Sequence, residues 1–382
     1  MKINLGITQE EFFSKYLEKN FLLIKNAIDC QSFKWKDINN ILDSTEASHN
    51  FIKIFQNGKI VPEEEYLKHN IEIGVRYPKF RKDKFYDLME NGSTLVINRV
   101  NAHNSFIQDL SSSFAKFVMS QTLANGYFAF GGDGSFGDHW DTHDVFAVQL
   151  FGKKRWKLYT PTFESPLTPH TSKNYKHERP KEAVLDCILE PGDCLYIPKG
   201  WWHNALPTEK ETFHIAIGVH VPPVIDYITW VARKILPDSL ECRKSLRMTE
   251  NVDEILLKAQ DKIFDAISDK NNLRNFLEAV VKEERIKSKF SIDYFNPHII
   301  EKNFNKKVTI PSIFLESALM RLKELNFDVI DYNKIVLMLK YIWDYAGATI
   351  NDLIFKFPEV ENNIDYIIEI LVKQEILEFT DE

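Results

Sequence analysis

The chain has 382 residues, a net charge of −7 and 44% hydrophobic residues, enough for two or three domains and an ordinary globular composition. The acidic balance gives no general attraction to nucleic acid or anionic lipid. The four cysteines, Cys30, Cys187, Cys194 and Cys242, show no C-x-x-C spacing, which argues against a zinc ribbon or a disulfide framework. No apolar run approaches the roughly 18 residues that span a bilayer, and the first residues lack a basic stretch followed by an apolar one. A reducing cytoplasm is the expected location.

In chain order, residues 9–20 predict a short helix and FLLIKNAI (21–28) a strand. Asn57-Gly58 between apolar runs predicts a hairpin. KDKFYDLMENG (82–92) predicts a helix ending at Asn91-Gly92, TLVINRV (94–100) a strand, and SFIQDLSSSFAKFVMS (105–120) a helix. The first hundred residues therefore form a mixed α/β buttress. From residue 123 short strands follow: LANGYFAF, the stretch around His139, DVFAVQLF, KRWKLY, LDCILE, DCLYIP and FHIAIGVHV. Apolar-alternating strands with Gly/Pro turns predict a double-sheet jelly roll. Residues 160–184 carry four prolines and are too long for an ordinary connector, reading as a binding loop or lid or as a solvated insertion.

After Pro222-Pro223 the pattern becomes helical. Asn251 with Glu254 resembles a capping box, and Val252, Ile255, Leu256, Ala259, Ile263, Phe264 and Ile267 form a stripe at helical spacing. Residues 271–285 predict a second helix. The last block, 306–382, predicts short helices with a cap at Thr349 and Asp352 and a strand-like tail. It holds eight Lys/Arg against fourteen Asp/Glu, a net of −6. Phosphate contacts supply most non-specific nucleic-acid affinity, so this block is a poor reader of DNA.

The chemistry concentrates between residues 135 and 204. In an extended chain, residues i and i+2 share a face, so His139 and Asp141 aim an imidazole and a carboxylate at one point. His203 follows the turn at Pro198 and Gly200 and can bring a second imidazole there. Two His and one carboxylate on one side of a metal suit non-haem Fe(II) and O₂ chemistry. Lys154, Trp156 and Leu158 share a strand face, which places an ammonium among apolar neighbours. A lone buried cation needs an anionic partner, and a dicarboxylate would supply one. Each feature alone has a plainer reading: an H-x-D triplet arises by chance, a lone His is usually structural, and VFAVQLF is a core strand. The combination of H-x-D, Lys fifteen positions on, and G-x5-P-x-G-x2-H is what points to a site.

These motifs resemble the JmjC-type, cupin-fold 2-oxoglutarate oxygenases, and within them the bacterial and nucleolar ribosomal oxygenases. The resemblance implies Fe(II) held by His139, Asp141 and His203. It implies a basic residue, Lys154, on the distal carboxylate of 2-oxoglutarate, with O₂ as the second cosubstrate. It further implies substrate-holding polar side chains at Asn125 and Tyr127, within LANGYF. One departure stands out: a substrate-contacting Ser of those enzymes, in a strand H-x-x-x-S, is replaced here in the run His214 to Gly218. The resemblance implies a JmjC/cupin catalytic domain with its buttress over 1–222, a helical dimerisation domain over 223–303 and a winged-helix-like domain over 304–382. The function expected is hydroxylation of a protein or peptide side chain, with a ribosomal protein as candidate substrate and a homodimer as the assembly. No membrane partner is expected, and nucleic-acid binding is disfavoured.

The alternatives are the same chemistry on a small molecule, an RNA base or a methyl-lysine, and a cupin scaffold without activity. Among other candidates, His143 has the parity to join a zinc-like cluster, but the family does not use this position, which favours a pocket wall. His220 can line the pocket or end a strand in solvent. Trp201 and Trp202 pack the barrel mouth, and Asp193 and Tyr196 serve turn and core. The sequence contains no Ser-His-Asp set, Walker loop or Rossmann fingerprint.

Overall fold

The computed structural model describes residues 3–131, 136–208, 211–247, 252–282, 288–295, 305–325 and 332–380. They fall into two compact units, 1–220 and 221–382. Among the described residues no helix is long and apolar enough to cross a membrane.

The first unit begins with α1 (Gln9–Lys15), β1 (Leu22–Ile24), α2 (Trp35–Ser44), β2 (Ile52–Gln56), β3 (Lys59–Ile60) and α3 (Glu63–Tyr66). It continues with β4 (Leu67–Glu72), β5 (Val75–Phe80), α4 (Lys82–Glu90), β6 (Thr94–Ile97), α5 (Ser105–Val118) and β7 (Gln121–Ala129). The remaining strands are β8 (Asp144–Phe151), β9 (Lys154–Tyr159), β10 (Leu185–Leu189), β11 (Cys194–Ile197), β12 (Trp202–Pro207) and β13 (Thr212–His220). Eight strands form one antiparallel sheet in the order β1-β11-β8-β13-β7-β6-β2-β3, and β10-β9-β12 form a second. Ala147, Leu195 and Ile197 of the large sheet pack against Trp156, Leu158 and Leu189 of the small one, which makes the two sheets a sandwich.

The other face of the large sheet is covered by helices. Phe12 of α1 and Phe114 of α5, both fully buried, pack on Phe146 of β8 at ring separations of 5.8 and 4.5 Å. Each such burial contributes about 1.5–3 kcal/mol. Short polar caps start these helices: Thr8 Oγ1 accepts from Glu11 N, and Asn104 Oδ1 from Ile107 N. The strand β8 is therefore buried on both sides, and its sequence shows no alternation.

Several details depart from the sequence reading. The first helix ends at Lys15, and Glu18 takes a positive φ of 56° beyond it. The stretch around His139 forms no regular strand; it makes an isolated antiparallel bridge to His203. The sequence reading assigned no element to α2, β12 or the β4–β5 ribbon. That ribbon has solvent on both faces, so it lacks the one-sided alternation that betrays a strand.

The second unit contains α6 (Val224–Lys234), α7 (Val252–Ser268), α8 (Lys270–Lys282), β14 (Lys307–Thr309), α9 (Leu315–Lys323) and α10 (Tyr332–Asp344). It ends with β15 (Ala348–Thr349), α11 (Ile350–Lys356), α12 (Ile364–Lys373) and β16 (Glu378–Thr380). Tyr227, Val231 and Phe276 form one small core. A larger one gathers Leu322, Met338, Leu339, Ile367 and Leu371 beside the sheet β15-β14-β16. Thr349 and Asp352 make the expected reciprocal cap of α11. The capping box at Asn251 and the boundary at 303/304 lie outside the described residues.

Candidate metal centre

The bridge that replaces a regular strand carries the site. His139 N donates to His203 O at 3.1 Å, and His203 N donates to His139 O at 2.8 Å. The two histidines are thereby locked side by side, with ring centroids 4.3 Å apart. Gly200 N donates to Asp141 O at 3.0 Å, which ties the carboxylate's backbone to the turn before His203. His139 Nδ1 lies 2.9 Å from Gly137 O and His203 Nδ1 lies 3.0 Å from Trp201 O. A carbonyl can only accept, so both Nδ1 atoms carry a hydrogen, which leaves both Nε2 atoms as the ligating nitrogens. Asp141 Oδ2 sits 3.6 Å from His203 Nε2, and the three ligand atoms all lie within 4.8 Å of one another.

Electrostatics favour the deprotonated donors that a metal needs. Burial, reinforced by His139, pushes the His203 imidazole down to about 4. Burial alone would raise the Asp141 carboxyl, yet His139, His203 and His143 together hold it below its ordinary value.

Lys154 projects from β9 into the space between the sheets. Trp156 and Leu158 are buried on the same face, and Arg155 points outward to a bidentate pair with Asp186. Lys154 is only 2% exposed, and burial pushes its ammonium down to about 7. Its Nζ lies 3.1 Å from His214 Nδ1. Burial and then Lys154 hold His214 well below its ordinary value, so His214 is neutral and its Nδ1 is the acceptor. Sequence parity placed His214 on the last barrel strand without suggesting this pairing, which spans 60 residues.

The His214 ring stacks on Tyr127 at 4.8 Å and 13°. Burial, with Asp141 adding to it, raises the Tyr127 hydroxyl and keeps it protonated. Asn125, two positions back on β7, accepts from Arg99 N through Oδ1 at 3.0 Å. Asn125 and Tyr127 pair with Ala216 and His214 of β13, on the interior side of the sheet. His143 does not join the metal set. Its ring stacks on His220 at 5.0 Å and covers Gly218, where an added Cβ would come within 2.7 Å of it. Asp193 and Tyr196 serve structure: Asp193 binds Lys25 and Asn26 N, and Tyr196 donates to Asp144.

Residues 96–227 match the JmjC domain family, a span that contains every candidate residue above. The chain is 26% identical over 220 residues to the bifunctional lysine-specific demethylase and histidyl-hydroxylase NO66 of Drosophila mojavensis, covering 56% of this chain and 24% of that protein. It is 30% identical over 173 residues to ribosomal oxygenase 1 of Danio rerio, covering 44% of this chain and 30% of that one. The chain thus spans well under half the length of these curated relatives. YcfD, a ribosomal oxygenase from Escherichia coli solved with cobalt and 2-oxoglutarate, aligns over 99% of both chains with a TM-score of 0.57 and 16% identity. The structural likeness shows the cupin fold expected from the sequence, with the JmjC domain match confined to residues 96–227.

Proposed function

We propose that the protein is an Fe(II)- and 2-oxoglutarate-dependent oxygenase that hydroxylates a side chain of a protein or peptide. One observation carries this reading: a His-Asp-His set with its Nε2 atoms free to coordinate opens onto the same interior as a buried lysine. Among the described residues no carboxylate pairs with Lys154, whose hydrogen-bond partner is a neutral imidazole. Both features fit these two groups, since two imidazoles and a carboxylate suit Fe(II) and a buried ammonium suits a dicarboxylate.

In this mechanism His139, Asp141 and His203 would hold the metal, with Asp141 supplying the sole negative charge among these side chains. Lys154 takes the distal carboxylate of 2-oxoglutarate by a charge-assisted bond, and His214 aims Lys154 by accepting one of its hydrogens. Bound iron with 2-oxoglutarate and O₂ supplies the oxidising chemistry, which yields succinate, CO₂ and the hydroxylated product. Asn125 and Tyr127 orient the substrate, and Trp156, Leu158 and Tyr127 exclude water from the reacting atoms.

The relatives' names favour a ribosomal protein as substrate and keep methyl-lysine as the second reading. The four cysteines are free thiols, which suits a reducing cytoplasm. We read 223–303 as a helical dimerisation domain and 304–382 as winged-helix-like. Purified protein given Fe(II), 2-oxoglutarate and candidate peptides should release succinate and add one oxygen atom to a peptide, read by mass spectrometry. Loss of a methyl group instead would favour demethylation. Asp141→Ala should abolish both metal binding and turnover; retention of either refutes the ligand assignment.

A further inference from the structure

We infer that the loop 160–184 is a strap that positions the metal ligands, working through an ion pair between Arg179 and Asp138. This inference rests on the metal-centre reading above. Residues 138–141 form no regular strand; their backbone is held by the His139–His203 bridge and by the bond from Gly200 N to Asp141 O. Their side chains alternate. His139 and Asp141 face the metal position, and Asp138 and Trp140 face the loop.

The loop meets them at Asp138 and at Trp140. Arg179 Nε lies 2.9 Å from Asp138 Oδ2 in an ion pair, and its guanidinium lies over the Tyr159 ring at 4.4 Å. Arg179 Nη1 also donates to Pro180 O at 2.7 Å, which fixes the fork's direction. Phe163 stacks on Trp140 at 5.9 Å and 11°, with Tyr175 closing the cluster. On the other arm of the site, Trp202 Nε1 donates to Thr162 Oγ1 at 2.9 Å. Phe163 O approaches Gly200 so closely that a Cβ there would lie 2.7 Å away. Gly200 also has a φ of +81°, so both conformation and space require glycine. The loop therefore grips the residues flanking His139 and those flanking His203 at once.

A strap of this kind acts on ligand placement rather than on ligand identity. The Arg179–Asp138 pair is partly exposed, at 27% and 31%, so its direct Coulomb contribution to stability is small. Its leverage comes from geometry, because partners beyond the ligands typically change metal affinity by about 10–100-fold. Arg179 and Asp138 are thus positioning residues. Nothing in the sequence pairs them, since they lie 41 positions apart and each sits in a polar stretch.

The test is a titration of the full chain with Co(II), followed by visible d–d absorption. Arg179→Gln and Asp138→Asn should each weaken Co(II) binding about tenfold and shift the band at saturation. The double variant should bind no more weakly than either single one, because both remove the same pair. The swap Asp138→Arg with Arg179→Asp should recover most of the affinity. Arg155→Gln, which breaks an exposed pair on the outward face of β9, should bind as the wild type does. Wild-type-like affinity in both single variants, or additive losses in the double variant, overturns the strap. A wild-type chain that binds no Co(II) overturns the metal centre itself, and the strap with it.

Discussion

At the scale of the residue, Lys154 sets function against stability. Burial depresses its pKa from the ordinary lysine range to about 7, so the folded, ligand-free protein binds this proton less readily than the unfolded chain. The unfolded chain therefore holds more protons between about pH 7 and the ordinary lysine value, and stability rises with pH across that window. Below pH 7 both states are charged and the full cost of burial is present. Lys154→Met, of similar shape and without charge, should raise the ligand-free melting temperature at pH 6. The gain should shrink as pH climbs from 7 towards 10, checked by calorimetry across that range. The same variant should lose 2-oxoglutarate affinity by roughly 30-fold or more, as truncating one member of a desolvated pair costs about 2–5 kcal/mol. Arg155→Ala should leave that affinity unchanged, and isothermal titration of both variants decides between the two faces of β9. The H-x-D spacing and the parity of Lys154, Trp156 and Leu158 were legible because an extended chain repeats every two residues. The His214 partner of Lys154 was not, because parity says which way a side chain points and never which distant strand it meets.

At the scale of the element, local chemistry was readable wherever a side chain answers its own backbone. Thr349 Oγ1 accepts from Asp352 N at 3.0 Å, and Asp352 Oδ2 accepts from Thr349 N at 2.9 Å. Both partners lie within four residues, so the cap of α11 could be read directly. Thr349→Ala should destabilise the protein by about 1 kcal/mol, measured by denaturant unfolding. The Thr349 hydroxyl, then its backbone N–H, holds the Asp352 carboxyl below its usual range. That part of the stability is present above the ordinary carboxylate pKa and fades as pH falls through the depressed value; in Thr349→Ala the fading should be weaker. Strands were legible by alternation or by turn signals such as Asn57-Gly58. The β4–β5 ribbon escaped notice because Ile73 and Gly74 make its turn with φ of 48° and 76°. A β-branched residue is among the least expected there. Residues 138–141 were read as a strand for the opposite reason: their side chains do alternate, but among the described residues their ladder pairing is confined to the single His139–His203 bridge.

At the scale of the whole molecule, net charge and exposed apolar surface point to different partners. The block 306–382 carries a net charge of −6, which favours a structural or protein-contacting role over phosphate binding. One run of exposed apolar side chains lies on α7, where Leu256, Leu257 and Phe264 are 51%, 67% and 69% exposed, and continues on α8 at Leu273 and Leu277. Of the seven-residue stripe read at helical spacing, only Ala259 is buried within the chain. Exposed apolar stripes of this size mark association surfaces, and a stable pair needs about 1,200 Å² or more of shared burial. Each large apolar side chain covered would contribute about 1.5–3 kcal/mol, enough for a few of them to hold a dimer at micromolar concentration once the cost of association is met. Light scattering should then report about twice the chain mass of 44.7 kDa. Leu257→Lys with Phe264→Lys should reduce it to a single chain without altering Co(II) binding, because neither residue lies in the unit that holds the metal centre. A wild-type mass of one chain would overturn the dimer.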